Sequence, residues 1–110
     1  MKIAIPVSNG TLDAHFGHCK QFAIFDIENN KIVNSTNIDA PPHEPGLLPK
    51  LLSEKGVHNI IAGGMGHKAI SLFHQFGVNV FVGAPQLPAI NLVEGFLNKT
   101  ISFNANYCDH

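Results

Sequence analysis

From residue 47 onward the chain alternates helix-period and strand-type runs, and that alternation constrains the fold more than any other feature. Leu47, Leu48, Leu51 and Leu52 repeat at helical spacing, Gly56 supplies the stop, and Pro49 is tolerable only in a first turn. A short apolar strand, His58 to Ala62, then runs into Gly63-Gly64. A second helix is expected from about Gly66 to Phe76, burying Ala69, Ile70, Phe73 and Phe76 and closed by Gly77. Asn79 to Val82 reads as another strand. Pro88 starts a third helix, where its missing N–H costs nothing, with Ala89, Val93, Phe96 and Leu97 facing inward. Such strand–helix–strand units require parallel neighbours joined by right-handed crossovers.

The first 46 residues follow a different rule. Lys2 to Val7 is dense in Ile, Ala and Val, as a buried strand should be, and Ser8-Asn9-Gly10 breaks it. Residues 8–20 read as a polar, glycine-containing loop. Gln21 to Glu28 returns to strand character, with Phe22, Ile24 and Asp26 on one side and Ala23, Phe25 and Ile27 on the other. Asn29-Asn30 is a turn signal, because Asn tolerates positive φ, and Lys31 to Ile38 completes a hairpin. Residues 39–46 hold three of the seven prolines and form a loop; residues 100–110 are expected to be irregular. The order β-β-β-α-β-α-β-α predicts an α/β fold with a five-stranded mixed sheet and helices on both faces. If the fourth strand lies parallel beside the first, the loops after both emerge at one sheet edge, where ligands of open α/β sheets sit.

Composition narrows the function classes. At 110 residues and 45% apolar, the chain fits one domain, residues 1–110, with a real core. A net charge of −1 without a basic run argues against nucleic acid. No apolar stretch approaches the roughly 20 residues that span a bilayer, and no leader opens the chain, so a membrane role is not expected. Two cysteines are too few for a disulfide framework, which points to a reduced, cytoplasmic setting.

What remains is soft-ligand chemistry. His15-Phe-Gly-His18-Cys19, Met65-Gly-His67 and Cys108-Asp-His110 hold both cysteines and four of the seven histidines. Thiolate and imidazole favour zinc, copper(I), iron or iron–sulfur clusters over magnesium or calcium. Gly63-Gly64-Met65-Gly66, between a strand and a helix, lets backbone approach a ligand and offers helix N–H groups to an anion. It is neither a dinucleotide fingerprint nor a Walker loop. Met65 is a thioether donor or a hydrophobic plug, and Cys108 and His110 can fold back to complete a coordination sphere. Catalytic machinery is thin: no paired carboxylates converge, and Ser8 and Ser71 lack a nucleophile elbow.

Met-Lys-Ile-Ala-Ile-Pro-Val at the start, His15-Phe-Gly-His18 followed by Phe22, and Gly63-Gly64-Met65-Gly66 before a helix with Ala69 together carry a resemblance. Over nearly its whole length the chain resembles the dinitrogenase iron–molybdenum cofactor biosynthesis family, which includes NifX-like proteins and the NifB C-terminal domain. The resemblance implies a ribonuclease H-like fold. It also implies binding or carrying of an iron–sulfur or iron–molybdenum cluster between donor and acceptor proteins, without catalysis. His15, His18 and the loop Gly63, Gly64, Met65, Gly66, His67 carry over as the binding region. Cys19, Cys108 and His110 rest on ligand chemistry alone. Two alternatives stay open: a structural zinc or copper site in an interaction module, and a small thiol- or nucleotide-dependent enzyme built on Cys19.

Overall fold

The structure, a computed structural model, describes residues 1–13, 20–40 and 46–101 and the backbone of 105–107. Strand β1 (Lys2–Ser8) turns through Asn9 and Gly10, both at positive φ, into the two-residue β2 (Thr11–Leu12). An Asn-Gly pair with both φ positive matches the right-handed twist of a tight hairpin. The break at Ser8-Asn9-Gly10 is therefore a hairpin, with Val7 opposite Leu12 and Ser8 opposite Thr11. Strands β3 (Gln21–Glu28) and β4 (Lys31–Asp39) form the second hairpin, and Asn29 and Asn30 take the two positive φ angles.

Helix α1 (Leu47–Glu54) precedes β5 (Val57–Ile61), α2 (His67–Gln75) precedes β6 (Asn79–Val82), and α3 (Ala89–Asn98) precedes β7 (Ala105–Tyr107). Pro49 lies in the first turn of α1, where its lost N–H has no helical acceptor. Pro88 is the N-cap of α3 and not its first helical residue.

The sheet runs β4-β3-β1-β5-β6-β7, with β2 paired to β1. β5 is parallel to both β1 and β6, while the β3, β4 and β7 pairings are antiparallel. The mixed α/β architecture is as expected, but among the described residues the sheet has seven strands in place of the expected five. β2 and β7 are the additions. Each is held by its partner strand and has no periodicity of its own, and β7 replaces the irregular structure expected over part of 100–110.

Helices pack on both faces. Leu52 of α1 and Ile70 and Phe73 of α2 join Ala4, Phe22, Ile24, Ile60 and Val80 on one face. Ala89, Leu92 and Val93 of α3 join Ile3, Ile5, Phe25, Ile27 and Ile61 on the other. β1 and β3 are buried on both sides, which explains their nearly continuous apolar sequence. Burying a side chain such as Phe73 contributes about 1.5–3 kcal/mol. Phe76, expected on the buried face of α2, is the C-cap residue and is exposed. Leu92, absent from the expected inner face of α3, is fully buried.

Candidate functional site

Strand direction decides which loops meet. β1, β5 and β6 run parallel, so their carboxyl ends, Ser8, Ile61 and Val82, reach the same sheet edge. Antiparallel pairing brings the start of β3 and the end of β4 there too, with Gln21 opposite both Val7 and Asp39. Beyond Gly63 the chain departs to α2 on one face, whereas beyond Gly83 it departs to α3 on the other. Loops leaving in opposite directions from adjacent parallel strands open a crevice between them.

His15, His18 and Cys19 fall within 14–19, outside the described residues. The flanks of that segment are anchored at the rim. The Asp13 N–H donates to the Pro6 carbonyl at 2.9 Å, and the Lys20 carbonyl accepts from the Ala40 N–H at 2.8 Å. The segment therefore leaves and rejoins the sheet at the edge that carries Gly63–His67. Neighbouring strands are about 4.8 Å apart, so the end of β1 and the end of β5, which leads into Gly63, stand side by side at this edge.

The glycine turn is built for access. Backbone pairing continues past β5 and β6, with the Gly83 N–H donating to the Gly63 carbonyl at 3.0 Å. Gly64 and Gly66 are exposed, and a Cβ at either would meet nothing within 4 Å. Gly66 is the N-cap of α2 at φ −71° and ψ 154°, a conformation open to any residue. Neither packing nor backbone geometry demands glycine at 66; its effect is to leave main chain uncovered at the rim.

Met65 is half-buried and packs against the α1–α2 core cluster, so its thioether seals the apolar layer beneath the turn. His67, the first residue of α2, is exposed, as is Lys68. The first ladder bond runs from the Ile70 N–H to the Gly66 carbonyl at 3.0 Å, so the N–H groups of residues 67–69 precede the ladder. Among the described residues no side chain caps this end, and no acidic residue lies in its first turn. The end of the helix dipole here favours negative charge.

Cys108 and His110 also lie outside the described residues. β7 runs away from the rim, since Ala105 pairs with Val82 but Tyr107 pairs with Val80. Among the described residues no group of three His, Cys, Asp or Glu side chains is placed to hold a metal ion. No helix of the described residues is long and apolar enough to cross a membrane.

Sequence reasoning passed over the third wall of the rim, the loop after β6. The Leu12 N–H donates to the Leu87 carbonyl at 3.0 Å and the Ala89 N–H to the Gly10 carbonyl at 2.9 Å, tying this loop to β2. Gly83 at φ 86°, followed by Pro85 and Pro88, was the available signal. Lys68, beside His67 in the first turn of α2, was passed over as well.

Comparison with known proteins agrees with this architecture. The chain is 40% identical over 86 residues to the uncharacterized protein MJ0580 of Methanocaldococcus jannaschii, covering 74% of this chain and 73% of that one. The crystal structure of PH0822 superposes with a TM-score of 0.86 at 25% identity, covering 94% of this chain and 95% of the other. The apo form of the orange protein from Desulfovibrio gigas has the same fold, with a TM-score of 0.79 at 20% identity over 98% and 96% of the two chains. Residues 1–99 match the dinitrogenase iron-molybdenum cofactor family, and the chain belongs to that family.

Proposed function

We propose that this protein binds and carries an iron–sulfur or iron–molybdenum type cluster during cofactor assembly, and catalyses no bond-making step itself. The observation that carries the reading is the shared rim. The flanks of the His15–Cys19 segment and the uncovered Gly63–Gly66 turn occupy one sheet edge, in a chain of the dinitrogenase iron-molybdenum cofactor family.

Each component matches one property of such a cargo. A sulfide-bridged cluster is anionic and polarisable, so it is stabilised by N–H groups at the start of α2 and by the nearby Lys68. Its metals take imidazole and thiolate, which His15, His18 and Cys19 supply. His67 adds a donor on the helix side. Glycines at 64 and 66 let a bulky ligand reach the main chain. A carrier must also release its cargo, and an open rim with few protein ligands suits transfer between a donor and an acceptor protein in the cytoplasm. Cys108 and His110, further thiolate and imidazole donors in the C-terminal segment, would complete the coordination sphere. The orange protein of Desulfovibrio gigas, described in an apo form, gives the fold a precedent for a removable group.

Anaerobic reconstitution with iron and sulfide, with and without molybdate, tests the reading. Visible charge-transfer absorption and stoichiometric metal are expected in the wild type, with strong losses in the His18→Ala/Cys19→Ala variant. Equal, background-level metal in both proteins would rule the carrier role out.

A further inference from the structure

Pro6 stands where sheets rarely carry proline. β1 is an inner strand, flanked by β3 and β5, and Pro6 is buried within it, opposite Phe22 of β3. Proline has no N–H to give a ladder, so it is confined as a rule to edges, strand starts and bulges. Main-chain groups along a strand point alternately to one neighbour and the other. Met1 exchanges two main-chain bonds with Ile27 of β3, so odd-numbered residues of β1 face β3 and even-numbered ones face β5. On β5, the Ala62 N–H donates to the Phe81 carbonyl of β6 at 2.9 Å, so Ile61 faces β1. With Ala4 in register with Ile60, the nitrogen of residue 6 is the next group due to reach β5, and its acceptor is the Ile61 carbonyl.

The β1–β5 pairing ends there. Its last pair is Ala4 with Ile60, although the two strands run on to Ser8 and Ile61. The Pro6 carbonyl, on the same side, accepts from the Asp13 N–H at 2.9 Å, and Val7 pairs with Leu12. β2 thus takes the place beside β1 that β5 vacates. Ala62 and Gly63 are held from the β6 side instead, their carbonyls accepting from the N–H groups of Ala84 and Gly83. We propose that Pro6 is the positioning residue of the cargo seat. The N–H it lacks stops the β1–β5 ladder one bond short, and the opening admits β2 and sets Asp13, the flank of residues 14–19, beside the start of the glycine turn. The consequence for cargo rests on the carrier reading above; the ladder stop does not.

An N–H at residue 6 would meet a ready acceptor, because Ile61 is fully buried and bulk water does not compete for its carbonyl. That bond would extend the ladder and draw the end of β5 toward β1. The crevice between the Asp13 flank and Gly63 would narrow. The competing account gives Pro6 no role beyond filling its buried site and stiffening β1 with its ring.

Two full-length variants separate the accounts. Pro6→Ala restores the donor, and N-methylalanine in place of Pro6 removes it again without the ring. The second is made by ligating a synthetic 1–18 thioester to an expressed 19–110 fragment at Cys19. Both lose the ring, so they differ only at the nitrogen. Pro6→Val, whose branched side chain suits a strand, replaces Pro6→Ala in the comparison should the latter not fold. In metal-free protein, hydrogen exchange followed by NMR should show the residue 6 amide of Pro6→Ala protected as part of a ladder. The Asp13 and Gly63 amides should shift in that variant and keep their wild-type positions with N-methylalanine. After anaerobic reconstitution with iron and sulfide, Pro6→Ala should retain less metal than the wild type, and N-methylalanine should recover the loss. A fast-exchanging residue 6 amide, or unmoved Asp13 and Gly63 amides, overturns the proposal. So does wild-type metal retention in Pro6→Ala, or an equal loss in both variants, which assigns the effect to the ring. If the wild type itself takes up no metal, the carrier reading fails, and the exchange and shift data alone confirm or refute the ladder stop.

Discussion

The two ends of the sheet use glycine for opposite purposes. At the end where β5 and β6 begin, Gly56 and Gly77 sit at φ 85° and 77°, closing α1 and α2 in a conformation other residues resist. At the rim where those strands finish, Gly64 and Gly66 have no positive φ, and a Cβ on either would point into open space. The first pair serves the fold. The second leaves the fold unaffected and uncovers the main chain beside a helix N-terminus, which is the physical basis of the proposed cargo seat.

Substitutions can break or sharpen that contrast. The largest loss is expected in the scaffold both ends share. Phe73→Ala, which empties a fully buried site on α2, should cost about 3–5 kcal/mol in denaturant unfolding. Next comes Gly95→Ala on α3. The added Cβ would collide with the side chain of Ile101, and overpacking of this kind costs about 1–3 kcal/mol, read as a lower midpoint at unchanged slope. Gly77→Ala should cost about 1 kcal/mol, because φ is positive there although space is free. Gly66→Ala should change stability by less than about 0.5 kcal/mol while lowering metal retained after anaerobic reconstitution. If Gly66→Ala instead destabilised as much as Gly77→Ala, the division between the two ends would fail.

Much of this architecture was legible because it rests on periodicity. The apolar runs of β1 and β3, the Leu47–Leu52 spacing and the alternation through Val82 each announce an element. The parallel placement of β5 beside β1 then set the glycine turn at the same edge as Asp13 and Lys20, the residues that flank 14–19. β2 and β7 escaped because strands of two and three residues are too short for a pattern and exist only through pairing. Asn9-Gly10 was nonetheless a readable hairpin signal. Phe76 misled because helical spacing continues one residue past the last true turn, where the chain is already the C-cap. At the site, the glycine turn was readable from composition. The wall formed by the loop after β6 was not, because its two backbone bonds to the Gly10–Leu12 stretch join segments more than 70 residues apart.

Amide NMR spectra of the protein before and after anaerobic loading with iron and sulfide test the central claim most directly. The paramagnetic cargo should broaden the amides of Gly63–His67 together with those of Asp13 and Lys20, leaving Asn29, Asn30 and Gly77 sharp. Broadening at only one of the two rim segments, or at the opposite turns, would contradict a shared seat.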